Sequence, residues 1–523
     1  MIPAPLWTIV LFIGLIPGLK PLSVDNYYQI AIGKIIVESG IPHEIPLTVH
    51  TAEHLPYMAQ QWLFMVFDYG VYSSFGFTGL FFCGLVLNML LVYAVYRMLL
   101  CIGKGRRIIA YPAAVLFGFF PVLMKTMQML RPYYITCILL ALEIIIMERA
   151  RTGDKTKQQL LAFPVLSILS INFHAAMWPM LLVMILPYAA ENLCLKVPFA
   201  KKYFYQGNPV PVRFLAGGAL LIIVAGFLNP YGTEAMTYGI QSYGLDILRQ
   251  YSSEMISPFY NAPVWAVIII AFMGLDLGLT LRFHIPLSYL FLSLGVGIMA
   301  LLSFRSLLLF LMFFMAPAVY FSSRFKPIRL SKKWGPVIFM ILAALPVYLF
   351  EIVRPWHFYS PVQHTLINGA NAIKEDAEAY GQGQAKIFGP GFLLNYFMLQ
   401  GYQVYVFSSD EVFTEKMSRK HDIIREFLDI DSGRIPVSFL ESQYGIQYYA
   451  VNKDMRLYDF LKHSTAFTLI YDSGKDEDFL TQSEKMNICI YRGRSQRRRG
   501  PGYAAGHEHR PRRLPYHRPR QQP

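Results

Sequence analysis

A few ionisable and polar side chains stand at the edges of long apolar runs in this 523-residue chain. Such groups are costly at membrane depth and mark pathways or sites there. Asp25 opens the stretch 22–63, LSVDNYYQIAIGKIIVESGIPHEIPLTVHTAEHLPYMAQQWL, which is too polar to be embedded itself. Tyr28 follows it, and further on come Arg131, Asn172, His174, Asn229 and Arg305 at or beside the ends of apolar runs, and Glu254 in the loop between two of them. A carboxylate within hydrogen-bond reach of a hydroxyl can take its proton as a general base. Arginine can hold a phosphate and stabilise charge that develops on it. Arg131 and Arg305 suit that second role best, with Lys125 behind them. Simpler roles stand beside these. An Asp near residue 26 can cap a helix, an Arg at a span end can anchor it at the headgroups, and the Asn-Pro-Tyr-Gly of 229–232 can end a helix. His43, Glu44, His50, Glu53 and His54 could ligate a metal, but their spacing matches no metal motif.

These residues are positioned by what reads as a membrane scaffold. The chain is 54% hydrophobic and only 15% charged, against about 25% charged in soluble domains. Runs long enough for a spanning helix of ~20 residues fall at 4–20, 77–101, 108–124, 131–148, 159–173, 175–191, 213–229, 262–281, 285–302, 306–322 and 335–353. That predicts about eleven spans. Basic residues cluster in alternate loops: Lys104 to Arg107, Arg149 to Lys157, Lys196 to Arg213, Arg282, and Arg324 to Lys333. Positive loops stay cytoplasmic. The N-terminus is therefore expected inside, with the first loop, 22–76, and everything after 353 outside. The candidate residues then all lie on the outer side. The apolar run near the N-terminus has no basic start or clear cleavage site and reads as a retained span.

The formal net charge of +14 does not imply nucleic acid. Residues 492–523 hold ten Arg against one Glu, so nine of those charges sit in a tail. The rest is loop charge that sets topology. The five cysteines form no CxxC pair and suggest neither a disulfide framework nor a zinc site.

After residue 353 the composition changes. AKIF, QVYVFSS, IQYYAVN, AFTLIYDS and NICIYR read as strands; TLINGANAIKEDAEAYG, HDIIREFLDI, SFLESQY and DMRLYDFLKH read as helices. The expected organisation is a transmembrane domain over 1–353, a small extracytoplasmic α/β domain over 354–493, and an Arg/Pro-rich disordered tail over 494–523. The fold class is mainly α: a polytopic helical bundle with a small C-terminal α/β domain.

Several motifs carry a family resemblance: DNYYQIAIGKIIVESGIPHEIP (25–46), QQWLF (60–64), RPYY (131–134), NFHAAM (172–177), NPYGTEAM (229–236), SEMISP (253–258) and IFGPGFLLNYFMLQGYQVYVFSSDEVF (387–413). In these the chain resembles bacterial polytopic membrane proteins related to the C-type (GT-C) glycosyltransferases. The resemblance implies a sugar donor linked to polyprenyl phosphate, used at the outer leaflet, with an acid in the first outer loop as the catalytic residue. Asp25 is the acid that matches. The family pattern has a His where this chain has Gln29, an Asp where it has Ile45, and a His-Glu pair where it has Gln60 and Gln61. Some relatives use a divalent metal such as Mg or Mn and others do not.

The expected function is transfer of a sugar from a polyprenyl-phosphate carrier to an envelope glycan, lipid or protein. Asp25 would be the base, with Arg131, Arg305, His174, Asn172, Glu254, Asn229 and Tyr28 around the substrate. Two other classes remain open at this point. One is a transporter or flippase of an envelope precursor, to which Glu143 inside the fourth span is relevant. The other is a non-catalytic scaffold, which the neutral Gln29, Gln60 and Gln61 favour.

Overall fold

The structure is a computed structural model. It describes residues 23–106, 110, 113–114, 117, 130–153, 156–198, 208–242, 245, 247, 255–325, 361–380, 385–419, 421–475 and 488–493. The expected spans 4–20 and 335–353, most of the span 108–124, the tail 494–523, Lys125 and Glu254 lie outside the described residues.

Helices dominate the first part of the chain. They are α1 (Val24–Ser39), α2 (Trp62–Ile102), α3 (Pro132–Arg151), α4 (Ala162–Phe173), α5 (Pro179–Cys194), α6 (Val212–Gly226), α7 (Thr233–Ser242), α8 (Pro263–Phe283), α9 (Leu287–Leu302), α10 (Leu307–Phe313) and α11 (Ala316–Ser322). Among the described residues four stretches are long and apolar enough to cross a membrane: α2, 175–194 ending in α5, α8, and 304–322. Two shorter apolar helices, α6 and α9, accompany them. The protein is a membrane protein on this ground. Its apolar side chains also face outward, as at Phe82, Val86 and Leu90 of α2 and Val264 and Val267 of α8. Hydrocarbon, unlike water, does not penalise such a surface.

The boundary at residue 76 differs from a simple loop-to-span change. α2 already begins at Trp62, and its axis breaks at Gly76, whose φ of 61° lies in the left-handed region. Glycine adopts that conformation without steric cost. The segment expected as the first loop, 22–76, is therefore helical at both ends. α1 and the first half of α2 pack closely: a Cβ on Gly33 would lie 2.0 Å from the Met65 carbonyl oxygen.

Arg151 also departs from the loop-charge reading. It ends α3 almost buried, 3.4 Å from Glu148 and 2.9 Å from Glu191, and donates to Ser288. Tyr188 and Tyr289 donate to the two oxygens of Glu148. This network ties α3, α5 and α9 together. Opposite charges held this far from water need such pairing. Glu143, higher on α3, is fully buried, and neither of its oxygens has a partner among the described residues.

The C-terminal part contains a five-stranded mixed sheet in the order β2-β1-β3-β5-β4. Its strands are β1 (Lys386–Phe388), β2 (Gln403–Val404), β3 (Tyr448–Asn452), β4 (Phe467–Asp472) and β5 (Ile488–Gly493). β1 runs parallel to both β2 and β3, and β5 runs antiparallel to β3 and β4. Helices α12 (Pro361–Ala379), α13 (Gly391–Leu399), α14 (Ile423–Asp431), α15 (Ser438–Tyr444) and α16 (Arg456–His463) surround it. The run QVYVFSS forms a ladder only at its first two residues. Tyr405, Val406 and Phe407 are then fully buried and lead into a single turn of 3-10 helix, Asp410–Phe413.

This domain sits on the segment that joins α1 to α2. Val404 donates to the Thr48 carbonyl at 2.7 Å, His50 donates back to Val404 at 3.3 Å, and Thr51 bonds the Tyr405 carbonyl. The loop thus extends the sheet at its β2 edge, where an uncovered strand would leave polar backbone groups without partners. α13 packs on α1, and Asn395 donates to the Val24 carbonyl at 3.0 Å.

Candidate active site

Ser23 caps α1: its backbone is extended and its hydroxyl accepts from the Asp25 N–H at 3.2 Å. That leaves the Asp25 carboxylate in the first turn, where the helix dipole favours negative charge. Its partner is Arg131, whose Nη2 lies 3.2 Å from Oδ2. Both side chains remain about a quarter exposed, at 27% and 22%. Arg131 is extended because Pro132 follows it and disfavours the helical conformation one residue earlier. Its guanidinium also reaches Ser23 at 3.4 Å.

The neighbour of Asp25 locks this pair. Asn26 is fully buried, and its amide nitrogen lies 2.8 Å from Asp68 Oδ2, 3.1 Å from the Leu130 carbonyl and 3.1 Å from Gln29 Oε1. One side chain therefore connects α1, α2 and the residue just before Arg131. Sequence reading missed both Asn26 and Asp68. The available signal was an aspartate inside the apolar run WLFMVFDYGVY.

The neutral glutamines bond to one another and to the C-terminal domain. Gln29 donates to Gln61 at 2.8 Å. Gln60 donates to Glu411 Oε1 at 3.1 Å, and its own Oε1 accepts from the Ala176 N–H at 3.3 Å. Ile45 is buried in the core. Glu411 also accepts from Tyr238 at 2.8 Å and from Ser409 at 3.3 Å. No local pattern could have pointed to it.

Tyr28 is buried on the same side as Asp25, its ring 5.3 Å from that of Phe407. Burial, then the charges of Asp25 and Glu411, hold its phenol well above the ordinary tyrosine value. Asp410 is likewise pushed well above the usual carboxylate range, first by burial and then by Glu411 and Asp25. The charges of Asp25 and Glu411 thus act on both Tyr28 and Asp410, and that of Arg131 acts on Tyr28.

The other expected residues have partners of their own. Asn172 accepts from Trp62 at 2.8 Å and donates to the Ile168 and Leu228 carbonyls. His174 hydrogen-bonds Thr136 at 3.0 Å, and the charge of the exposed Arg305 reaches both His174 and Tyr133. Asn229 holds its own turn, donating to Gly226 and Gly232 and accepting from the Tyr231 N–H. Tyr231 fastens that turn to the first loop through Ala59 and Pro42. His54 pairs with Glu44 at the surface. Among the described residues no group of three or more His, Cys, Asp or Glu side chains is arranged to hold a metal.

No model of a known protein family matches the chain, and no curated protein matches it. Solved structures do. ArnT from Cupriavidus metallidurans, bound to undecaprenyl phosphate, superposes with a TM-score of 0.51 at 11% identity, over 93% of this chain and 97% of that one. A mutant of the mycobacterial arabinofuranosyltransferase AftD gives 0.49 at 14% identity, over 93% of this chain. This chain spans 41% of AftD's length. The apo oligosaccharyltransferase of Archaeoglobus fulgidus gives 0.48 at 12% identity, over 86% of this chain and 69% of that one. The chain shares the fold of ArnT.

Proposed function

We propose that this protein is a membrane glycosyltransferase that moves a sugar from a polyprenyl-phosphate carrier to a cell-envelope acceptor on the outer face. The observation that carries this reading is the Asp25–Arg131 pair, partly open, at the junction of the helical bundle and the outer domain. A fold shared with a structure bound to undecaprenyl phosphate supports it. The basic loops favour a cytoplasmic N-terminus and an outer position for this pair.

Glycosyl transfer passes through an oxocarbenium-like transition state. The acceptor hydroxyl loses its proton, and Asp25 takes it. The leaving phosphate gains negative charge as the glycosidic bond breaks, and Arg131 stabilises it. Arg305, on the His174 side, supplies a second cation for the carrier.

Asp25→Asn keeps the shape and removes the base. Incorporation of labelled sugar from polyprenyl-phosphate donors, measured in membranes, is expected to fall by about 10²- to 10⁴-fold. Transfer at the wild-type rate would refute the role of Asp25.

A further inference from the structure

The site contains a carboxylate from the outer domain that the chemistry above does not use. Glu411 stands on the 3-10 turn Asp410–Phe413 and is partly buried. Gln60, Tyr238 and Ser409 all converge on its Oε1. Among the described residues none donates to Oε2. Beside it, Asp410 Oδ1 is buried and has no hydrogen-bond partner among the described residues. A buried oxygen without a donor is costly, and a ligand hydroxyl would satisfy it. The surrounding wall is aromatic: Tyr28 and Tyr57 pack on Phe407, and Tyr238 bonds Glu411 directly. Planar acceptors fixed from behind, next to aromatic rings, suit a polyhydroxylated ring with donors on its edge and C–H groups on its face.

We propose that Glu411 is a specificity-determining residue that binds hydroxyls of the transferred sugar, with Oε1 held by the protein and Oε2 presented to the substrate. This rests on the transferase reading. The outer domain is then one wall of the sugar site, and the fixed position of Glu411 against Gln60 and Tyr238 sets which hydroxyls it meets.

The test compares binding by the purified full-length protein of bare undecaprenyl phosphate and of the same lipid carrying a hexose or a pentose. Wild type is expected to prefer one sugar-bearing lipid over the bare one. Glu411→Gln is expected to cut that preference by about tenfold, the effect of losing a hydrogen bond to a charged group, while bare-lipid affinity stays within about twofold. Tyr238→Phe, which removes one clamp and keeps the carboxylate, is expected to change which sugar is preferred. An unchanged preference in Glu411→Gln overturns the proposal. So does an equal loss for bare and sugar-bearing lipid, which would mark Glu411 as a docking contact only. If wild type binds neither lipid, the transferase reading falls and this inference with it. If Asp25→Asn still transfers sugar, only the assignment of the base falls, and the preference measured with Glu411→Gln stands.

Discussion

Asp25 is placed by its two neighbours in sequence. Ser23 takes the capping role, and Asn26 reaches behind the helix to Asp68 and Leu130. The carboxylate between them is thereby aimed at Arg131. Asn26→Ala would leave Asp68, which is fully buried, without the donor it has in the native protein. Such a loss costs about 1–3 kcal/mol. It should appear as a lower thermal unfolding midpoint of the purified protein in detergent. Sugar transfer should fall further than stability alone explains, because the Leu130 carbonyl also loses its tie. Only part of this was legible locally. Asp25 shows itself as an acid that follows an apolar run and precedes a tyrosine pair. Asn26 looks like any helix-start residue until Asp68, 42 positions away, is brought against it.

At the scale of elements, the site depends on how closely α1 lies on α2. Gly33 makes that approach possible, since a methyl group there would meet the Met65 carbonyl and the Tyr69 side chain. Backbone cannot move aside as a flexible side chain does. Gly33→Ala should therefore push the helices apart and destabilise the bundle by about 1–3 kcal/mol, read as a lower unfolding midpoint. Gly70→Ala, which meets nothing within 4 Å, serves as its control. The elements themselves were largely readable. Apolar runs gave helices, and the alternating segments after residue 380 gave strands in one sheet. The helix of residues 391–399 was not foreseen, because GPGFLLNYFML reads as turn residues followed by an unpatterned apolar run. The α2 start at Trp62 was hidden for a related reason. Composition alone marks where hydrocarbon begins, not where a helix does.

For the whole molecule, the decisive contact is between the segment joining α1 to α2 and the C-terminal sheet. His50 lies at its centre, buried between the rings of Tyr405 and Tyr444, with both ring nitrogens lacking partners among the described residues. Burial, and then the charge of Lys386, push its pKa down to about 3. The unfolded value is about 6.5. The folded protein thus requires the neutral ring. Its contribution is fully present above pH 6.5 and is lost as pH falls from there towards 3, at about 1.4 kcal/mol per unit. Acidification to pH 5 should expose residues 44–52 and 403–407 to faster hydrogen exchange. His50→Phe, which keeps a ring in the same apolar space, should remove that acid sensitivity. Equal acid sensitivity in the variant would exclude His50 as its source.

The sequence by itself pointed to a chain that enters a membrane, to a small α/β domain after the helices, and to an acid beside an apolar run. Each depends on contiguous residues: the length of an apolar run, a period of two, a charge beside a span. Only the tertiary structure decided which groups meet that acid. Arg131 reaches it from the start of a different helix, and Glu411 bonds Gln60 across 351 positions. Pairings of that range follow from how helices and sheet pack against one another, and no local spacing records them.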